Sequence, residues 1–349
     1  MRVRVRFAPS PTGSLHLGNA LTAVANRRLA DARDGVLLLR IDDTDPSRTV
    51  EGGEAAILED LAWLGVGWDE GPIRQSERAS VYAEAAARAL ASGAAETDAD
   101  GSVRLVRGGV TLVRADGTAT YQLASVADDL ALGITHVIRG SDHRPNLPLQ
   151  QAIARALGSE LPEVIHHGLV LGEDGKKLSK RHGHWSVAEL REEGLPAAAV
   201  RAYLEELGLP EHDVQLDLAR LRRLAVDAIA AMPDGELAES CGAPVEVVPA
   251  LRGARTLVEA REYARLVLEP ASVAVPPEAR PTLGRFAELR GPAPDRLSLE
   301  EGKAIVRELK AVGGDLRALR LALTGAERGP ELGAILAALP RDEALRRAS

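Results

Sequence analysis

Two segments carry residue types suited to chemistry on phosphate. Near the amino terminus, Arg6-Phe7-Ala8-Pro9-Ser10-Pro11-Thr12-Gly13 runs into Ser14-Leu15-His16-Leu17-Gly18-Asn19. Residues 2–7 alternate charged and apolar types, the period of a strand with one wet face. Pro9, Pro11 and Gly13 then exclude helix, and Leu17, Leu21 and Val24 recur at helical spacing. His16 and Gly18 thus fall at a loop-to-helix junction, where unpaired N–H groups and partial positive charge suit a phosphate. Gly18 has no Cβ, so a flat base could lie against the backbone, and His16 can donate to a phosphate oxygen. The plain alternative is a capped helix after a proline turn with a solvated His16. The P-loop pattern G-x-x-x-x-G-K-S/T is absent.

The second segment is Lys176-Lys177-Leu178-Ser179-Lys180-Arg181, preceded by Gly172-Glu173-Asp174-Gly175. It reads as a glycine-hinged loop tipped with cations. Lys177, Lys180 and Arg181, with the Ser179 hydroxyl, can neutralise charge building on a leaving pyrophosphate. Such chemistry depends mainly on positioning and charge stabilisation. Alone, the hexamer reads equally as a solvated basic loop. Paired with the first segment, it points to one ATP site.

The elements around these segments alternate. Residues 36–41 are a near-continuous apolar strand, and 54–64 a helix with Ile57, Leu61 and Leu64 on one face. Residues 134–139 and 164–171 read as strands with a helix over 148–157 between them. This alternation predicts a parallel sheet with helices on both faces, its ligands beyond the strand C-termini. Arg6 to Ser10, Asp42 and Arg139 stand at such ends. After Arg181 the pattern turns helical, with a capping box at Ser186-Val187-Ala188-Glu189 and helices over 197–207, 216–232, 299–311 and 315–324. A proline-rich loop spans 269–281.

These residues resemble the class I aminoacyl-tRNA synthetases, and within them the glutamyl-tRNA synthetases. His16-Leu17-Gly18-Asn19 is similar to their HIGH element, and Lys177-Leu178-Ser179-Lys180-Arg181 to their KMSKS loop. In the same order, Arg40-Ile41-Asp42-Asp43-Thr44-Asp45 resembles R-I-E-D-T-D, and Arg74-Gln75-Ser76-Glu77-Arg78 resembles Y/R-Q-S-x-R. Thr120 to Asp129 resembles T-Y-H-L-A-N-V-V-D-D, and Val137 to His143 resembles V-I-R-G-x-D/E-H. Leu319 to Gly325, then Gly329-Pro330-Glu331-Leu332, is similar to the end of the family's anticodon-binding region.

The resemblance implies a Rossmann-like catalytic domain of the class I (HUP) type over 1–185, with a short insertion at about 91–118. A helical stem-contact region at 186–235 and a helical anticodon-binding domain at 236–349 would follow. It implies His16, Gly18, Lys177 and Lys180 as the catalytic set, and His16, Gly18, Asn19, Asp142, Ser179 and Lys180 on ATP. Glutamate would meet Arg6, Ala8, Ser10, Asp42, Tyr121, Ser125 and Arg139. Arginine forks suit its carboxylates, and Asp42 would meet the ammonium. Asp42 stands where the family has Glu, and Ser125 where many members have Asn. Read singly, residues 40–45 are equally a strand end with a solvated acidic turn, Asp128 and Asp129 surface carboxylates, and Tyr121 a core residue.

Two further departures concern length. Arg78 and Tyr121 are close in sequence where the family carries a long insertion that grips the tRNA acceptor end. Residues 91–117 leave room only for a helix end and one hairpin, 103–106 with 110–113. The carboxy-terminal region is also shorter than in bacterial members.

Composition agrees with a globular chain of two or three modules: 349 residues, 45% hydrophobic and 27% charged. No apolar run approaches the roughly 18 residues that span a membrane, and with strand pattern from residue 2 no signal peptide is expected. Cys241 is the single cysteine, which excludes an internal disulfide and a multi-cysteine zinc site and fits a reducing cytoplasm. The net charge of −8 does not advertise a nucleic-acid partner, although basic residues recur between 220 and 347 among Asp and Glu. The expected partners are L-glutamate, ATP with Mg2+, and tRNA-Glu, with tRNA-Gln left open; no zinc and no membrane are expected, and the default by resemblance is a monomer. Two rivals stand beside the ligase: a relative that glutamylates the queuosine base of tRNA-Asp, and a repurposed paralogue that binds tRNA or a carrier protein without charging.

Overall fold

The computed structural model describes residues 2–178 and 185–349. The chain divides into two compact units, Met1–Leu190 with Arg201–Asp217, and Arg191–Val200 with Leu218–Ser349.

The first unit opens with β1 (Arg4–Phe7), α1 (Leu17–Ala32), β2 (Val36–Ile41), α2 (Gly53–Trp63), β3 (Glu70–Arg74) and α3 (Ala79–Ala91). A small antiparallel sheet of β4 (Ala95–Thr97), β5 (Val103–Leu105) and β6 (Thr111–Val113) comes next. Then follow α4 (Tyr121–Ala131), β7 (His136–Gly140), α5 (Leu147–Ala156) and β8 (Glu163–His167). The main sheet has the order β3-β2-β1-β7-β8 and is parallel throughout. From β1 the chain steps one way through β2 and β3, and later the other way through β7 and β8. That reversal opens a crevice between β1 and β7 at the carboxyl edge, the position where sheets of this kind bind ligands.

Sequence explains the strands. All of β2 is buried, as a central parallel strand requires, and Arg40 is the one charged residue inside it. β3 carries Pro72 and escapes a pattern search, but it is an edge strand, where proline is tolerated. The strand expected over 164–171 is broken. β8 ends at His167, and β9 (Val170–Leu171) joins β10 (Val214–Gln215) in a separate two-stranded sheet. Gly168 makes the break possible, because a Cβ there would lie 1.9 Å from the His212 carbonyl oxygen. The expected hairpin is present, with β4 as an unforeseen third strand. Its Ala95, Val103 and Leu112 share a core with Ala85, Ala86 and Ala89 of α3 and Leu123 of α4.

Beyond residue 185 the chain forms α6 (Val187–Glu192) and α7 (Ala197–Leu207), then β10. The helices α8 (Leu218–Ala231), α9 (Asp234–Cys241), α10 (Val248–Leu251), α11 (Leu257–Leu268) and α12 (Arg280–Arg290) follow. The chain ends with α13 (Leu299–Ala311), α14 (Leu316–Thr324), α15 (Leu332–Ala338) and α16 (Arg341–Arg347). Leu251, Phe286, Leu309, Leu319, Leu323 and Ile335 centre the core of the second unit. The expected parallel α/β sheet followed by a helical carboxy-terminal region is therefore the observed architecture. Among the described residues, no helix is long and apolar enough to cross a membrane.

Candidate active site

The turn entering α1 is clamped from three sides. His16 is the N-cap of α1, and the Asn19 N–H donates to its Nδ1 at 3.2 Å, which places the proton of the neutral ring on Nε2. Asp60 of α2 accepts from Ser14 Oγ and from the Leu15 N–H, both at 2.7 Å. The Val187 N–H donates to the Leu15 carbonyl and the Leu17 N–H to that of Trp185. A Cβ on Gly18 would press the His16 ring at 3.2 Å, so glycine here also leaves room for the imidazole.

Ser179, Lys180 and Arg181 of the cation-rich segment lie outside the described residues, but both flanks are held at this cleft. Downstream, Ser186 and Glu189 form the capping box read from the sequence. Upstream, Lys177 bridges to Leu171, and its ammonium donates to Asp142 Oδ2 at 2.5 Å. Burial would raise the Asp142 carboxyl, but the bond from Lys177 together with the charges of His143 and Lys177 holds it below the usual range.

Beneath the cleft lies a network of buried charge. Arg40 is fully buried; its Nε and Nη2 grip Asp42 at 2.6 and 3.1 Å, and its Nη1 donates to Asp129 Oδ1 at 2.8 Å. The same Asp129 oxygen accepts from Arg6 Nε at 3.2 Å. Burial opposes charge on Arg40, yet Asp42 and Asp129 overcome it and raise its pKa. Burial likewise opposes charge on Asp129, and Arg6 and Arg40 overcome it. Asp128 accepts from Arg78, Gln75 and Tyr82 and also lies 3.9 Å from Arg40 Nε. Asp43 receives the backbone N–H and the hydroxyl of Ser76. The acidic turn is thus solvated only in part: Asp45 is exposed, Asp43 ties the strand end after β2 to the segment after β3, and Arg40 links buried Asp42 to Asp129 of α4.

Arg139, at the end of β7, differs. Its Nε donates to His166 Nε2 at 3.1 Å and its Nη1 to Gln150 Oε1 at 2.7 Å. Its Nη2 is buried and has no hydrogen-bond partner among the described residues. Burial first, and the nearby Arg6 second, lower its pKa. Arg6, Arg40 and Arg78 pair with Asp42, Asp128 and Asp129, while Arg139 meets no carboxylate in an ion pair, so among the described residues the cluster keeps one positive charge unneutralised. Low-dielectric surroundings make that cost large until an anion arrives.

These groups surround one open cleft with a cavity volume of about 120 Å³. Arg6, Ala8, His16, Gly18, Asn19, Asp42, Tyr121, Arg139, Asp142 and Lys177 all lie on its wall. Of the other expected residues, Ser10 is half-buried in the loop after β1 and off the wall. Ser125 is buried one helical turn from Tyr121, also off the wall. Motif reading missed four participants: Arg40, Asp129, Gln150 and His166. The first two stand inside quoted motifs, so their signal was present; Gln150 and His166 carry none. His143, also on the wall, keeps a lowered pKa through burial.

The parallel sheet thus carries a capped helix and a cationic pocket at its reversal point. Residues 2–105 and 98–221 match the family described as tRNA synthetases class I (E and Q), catalytic domain, and the chain belongs to that family. It is similar to glutamate–tRNA ligase 1 of Rubrobacter xylanophilus, with 37% identity over 99% of this chain and 96% of the relative. The corresponding protein of Methylorubrum extorquens is 34% identical over 99% and 98%. The first alignment runs over 420 positions against 349 residues here, so that relative carries insertions this chain lacks. The fold is also that of a glutamate tRNA ligase structure from Elizabethkingia meningosepticum, with a TM-score of 0.78 and 22% identity over 100% of this chain and 98% of the other.

Proposed function

We propose that this chain is a compact glutamate–tRNA ligase, which joins L-glutamate to ATP as glutamyl-adenylate and passes it to the terminal adenosine of tRNA-Glu. The observation that carries the reading is the buried surplus of positive charge at Arg139, on one cleft wall with Arg6 and Tyr121, in a member of this family. Glutamate has one carboxylate more than it has ammonium groups, and that is the charge the pocket is missing.

In this reading Arg6, Arg139 and Tyr121 hold the side-chain carboxylate. Asp42 faces the ammonium, and Ala8 and Ser10 border the α-carbon end. Ser125 acts from behind Tyr121. The α-carboxylate oxygen attacks the α-phosphorus of ATP, the bond to the bridging oxygen breaks, and pyrophosphate leaves. His16 Nε2–H, Lys177 and Lys180 stabilise charge on the phosphates, with Ser179 as a further donor. Gly18, Asn19 and Asp142 position the nucleotide. Lys177 would exchange Asp142 for a phosphate when ATP arrives. A Mg2+ ion accompanying ATP would be held chiefly by phosphate oxygens. In the second step a ribose hydroxyl of the tRNA attacks the acyl carbon and AMP departs. The helical stretches 186–235 and 236–349 would serve the tRNA stem and anticodon. A cytoplasmic monomer is the expected state.

The test is transfer of labelled glutamate to tRNA-Glu, tRNA-Gln and queuosine-bearing tRNA-Asp. Charging of tRNA-Glu through an alkali-labile ester is expected. Lys180→Ala should lower kcat by about 100-fold or more, the effect of removing one transition-state donor. Label confined to tRNA-Asp, or to none of them, would overturn the reading.

A further inference from the structure

We propose that Gln150 and His166 are positioning residues that fix the Arg139 guanidinium, and so set the site's preference for a carboxylate over a carboxamide. The inference rests on the glutamate reading above.

A buried arginine fork can be satisfied in two ways. Arg40 shows the first: carboxylates close on it, and no charge remains for a ligand. Arg139 shows the second. Its Nε and Nη1 are both engaged, but each acceptor is a neutral group. Gln150 of α5 is 4% exposed and Arg139 is 7% exposed. His166 stands opposite Arg139 in the register of β7 and β8, so the sheet itself delivers its ring to the guanidinium. Burial, then Arg139 itself, lowers the His166 pKa to about 4, and the ring stays a neutral acceptor at pH 7.

Two neutral acceptors define the plane of the guanidinium without cancelling its charge. The remaining nitrogen, Nη2, is then aimed and charged but has no partner among the described residues. A ligand carboxylate supplies both an acceptor and the missing charge. A carboxamide supplies one acceptor, leaves the charge buried, and turns its own N–H donors toward a donor. Sites built this way reject the wrong isostere strongly, because their buried groups are left unpaired.

The experiment compares wild type with Gln150→Glu, His166→Phe and His166→Gln. It reads the glutamate KM in tRNA charging at saturating ATP and tRNA, the ATP KM, inhibition by glutamine, and the melting temperature. Gln150→Glu closes Arg139 on an internal carboxylate. It should melt no lower than wild type yet raise the glutamate KM by about ten-fold, the scale of one charge-assisted hydrogen bond. His166→Phe keeps the ring but loses the acceptor, and should raise the glutamate KM similarly and strengthen glutamine inhibition relative to glutamate binding. His166→Gln restores an acceptor and should recover most of the affinity. The ATP KM should move less than the glutamate KM in each. The proposal is overturned if Gln150→Glu melts normally with an unaltered glutamate KM, or if His166→Gln is as impaired as His166→Phe. If wild type itself neither charges tRNA nor binds glutamate by calorimetry, the functional reading falls and takes this inference with it. If wild type does both and the variants match it, the inference alone falls.

Discussion

Arg40 and Arg139 are both buried, both on the main sheet, and opposite in consequence. Arg40 holds two carboxylates in place, so its removal strands Asp42 and leaves Asp129 to Arg6 alone. Arg40→Leu should destabilise the protein by about 3–5 kcal/mol, the cost of leaving buried charges uncompensated, read from urea midpoints. Arg139 is under-compensated as it stands, so Arg139→Ala should cost little stability. It should raise the glutamate KM roughly 100-fold, in the range for truncating one partner of a desolvated charge pair. A large loss of stability in Arg139→Ala, or wild-type folding of Arg40→Leu, would reverse these assignments. The contrast also shows where sequence reading stops. The motif R-I-D-D-T-D advertises acidity, yet Arg40 and Asp129 are 89 positions apart. Only the packing of α4 beside the end of β2 brings them together, so a solvated turn was also a fair reading of the residues alone.

At the scale of elements, most of the sheet was legible because its strands are apolar runs bounded by turn residues. β1, β2 and the helices over 53–63 and 147–156 follow from periodicity within a residue or two. What escaped was set by partners distant in the chain: β3 pairs as an edge, and the stretch after β8 breaks where His212 crosses Gly168. The site depends on a similar long-range contact. Asp60, on α2, holds the Ser14-Leu15 turn that places His16. Asp60→Ala removes a carboxylate that accepts two hydrogen bonds and leaves the Leu15 N–H buried without that acceptor. A loss of about 2–3 kcal/mol is expected, together with a higher ATP KM, because the junction facing the phosphates slackens. An ATP KM equal to wild type would show that the turn holds its shape without α2.

For the whole molecule, charge state ties stability to activity. Three histidines at or beside the cleft have lowered pKa values: burial lowers His143 and His167, and burial with Arg139 lowers His166 to about 4. Unfolded, each would titrate near 6.5. Between pH 6.5 and 4 the unfolded chain therefore binds more protons than the folded one, and stability must fall as the pH drops. Carboxylates held low by their partners, Asp129 and Asp142 among them, add a loss of the same sign, but only as pH falls below about 4, where unfolded carboxyls protonate. Asp42 contributes with the opposite sign, because burial outweighs Arg40 and raises its carboxyl; the histidine and acid contributions separate by pH. A fall in the urea midpoint from pH 7 to 5 reports chiefly on the histidines, and a further fall below 4 on the acids. His166→Gln should flatten the first segment while leaving the second in place. Glutamate should steepen neither, since its carboxylate meets arginines that stay charged throughout; instead it should raise the midpoint by a nearly constant amount from pH 7 to 5. A wild-type midpoint that is flat over that range would mean the cleft histidines are solvated enough to protonate normally. The neutral acceptor opposite Arg139 would then be lost below pH 6.5.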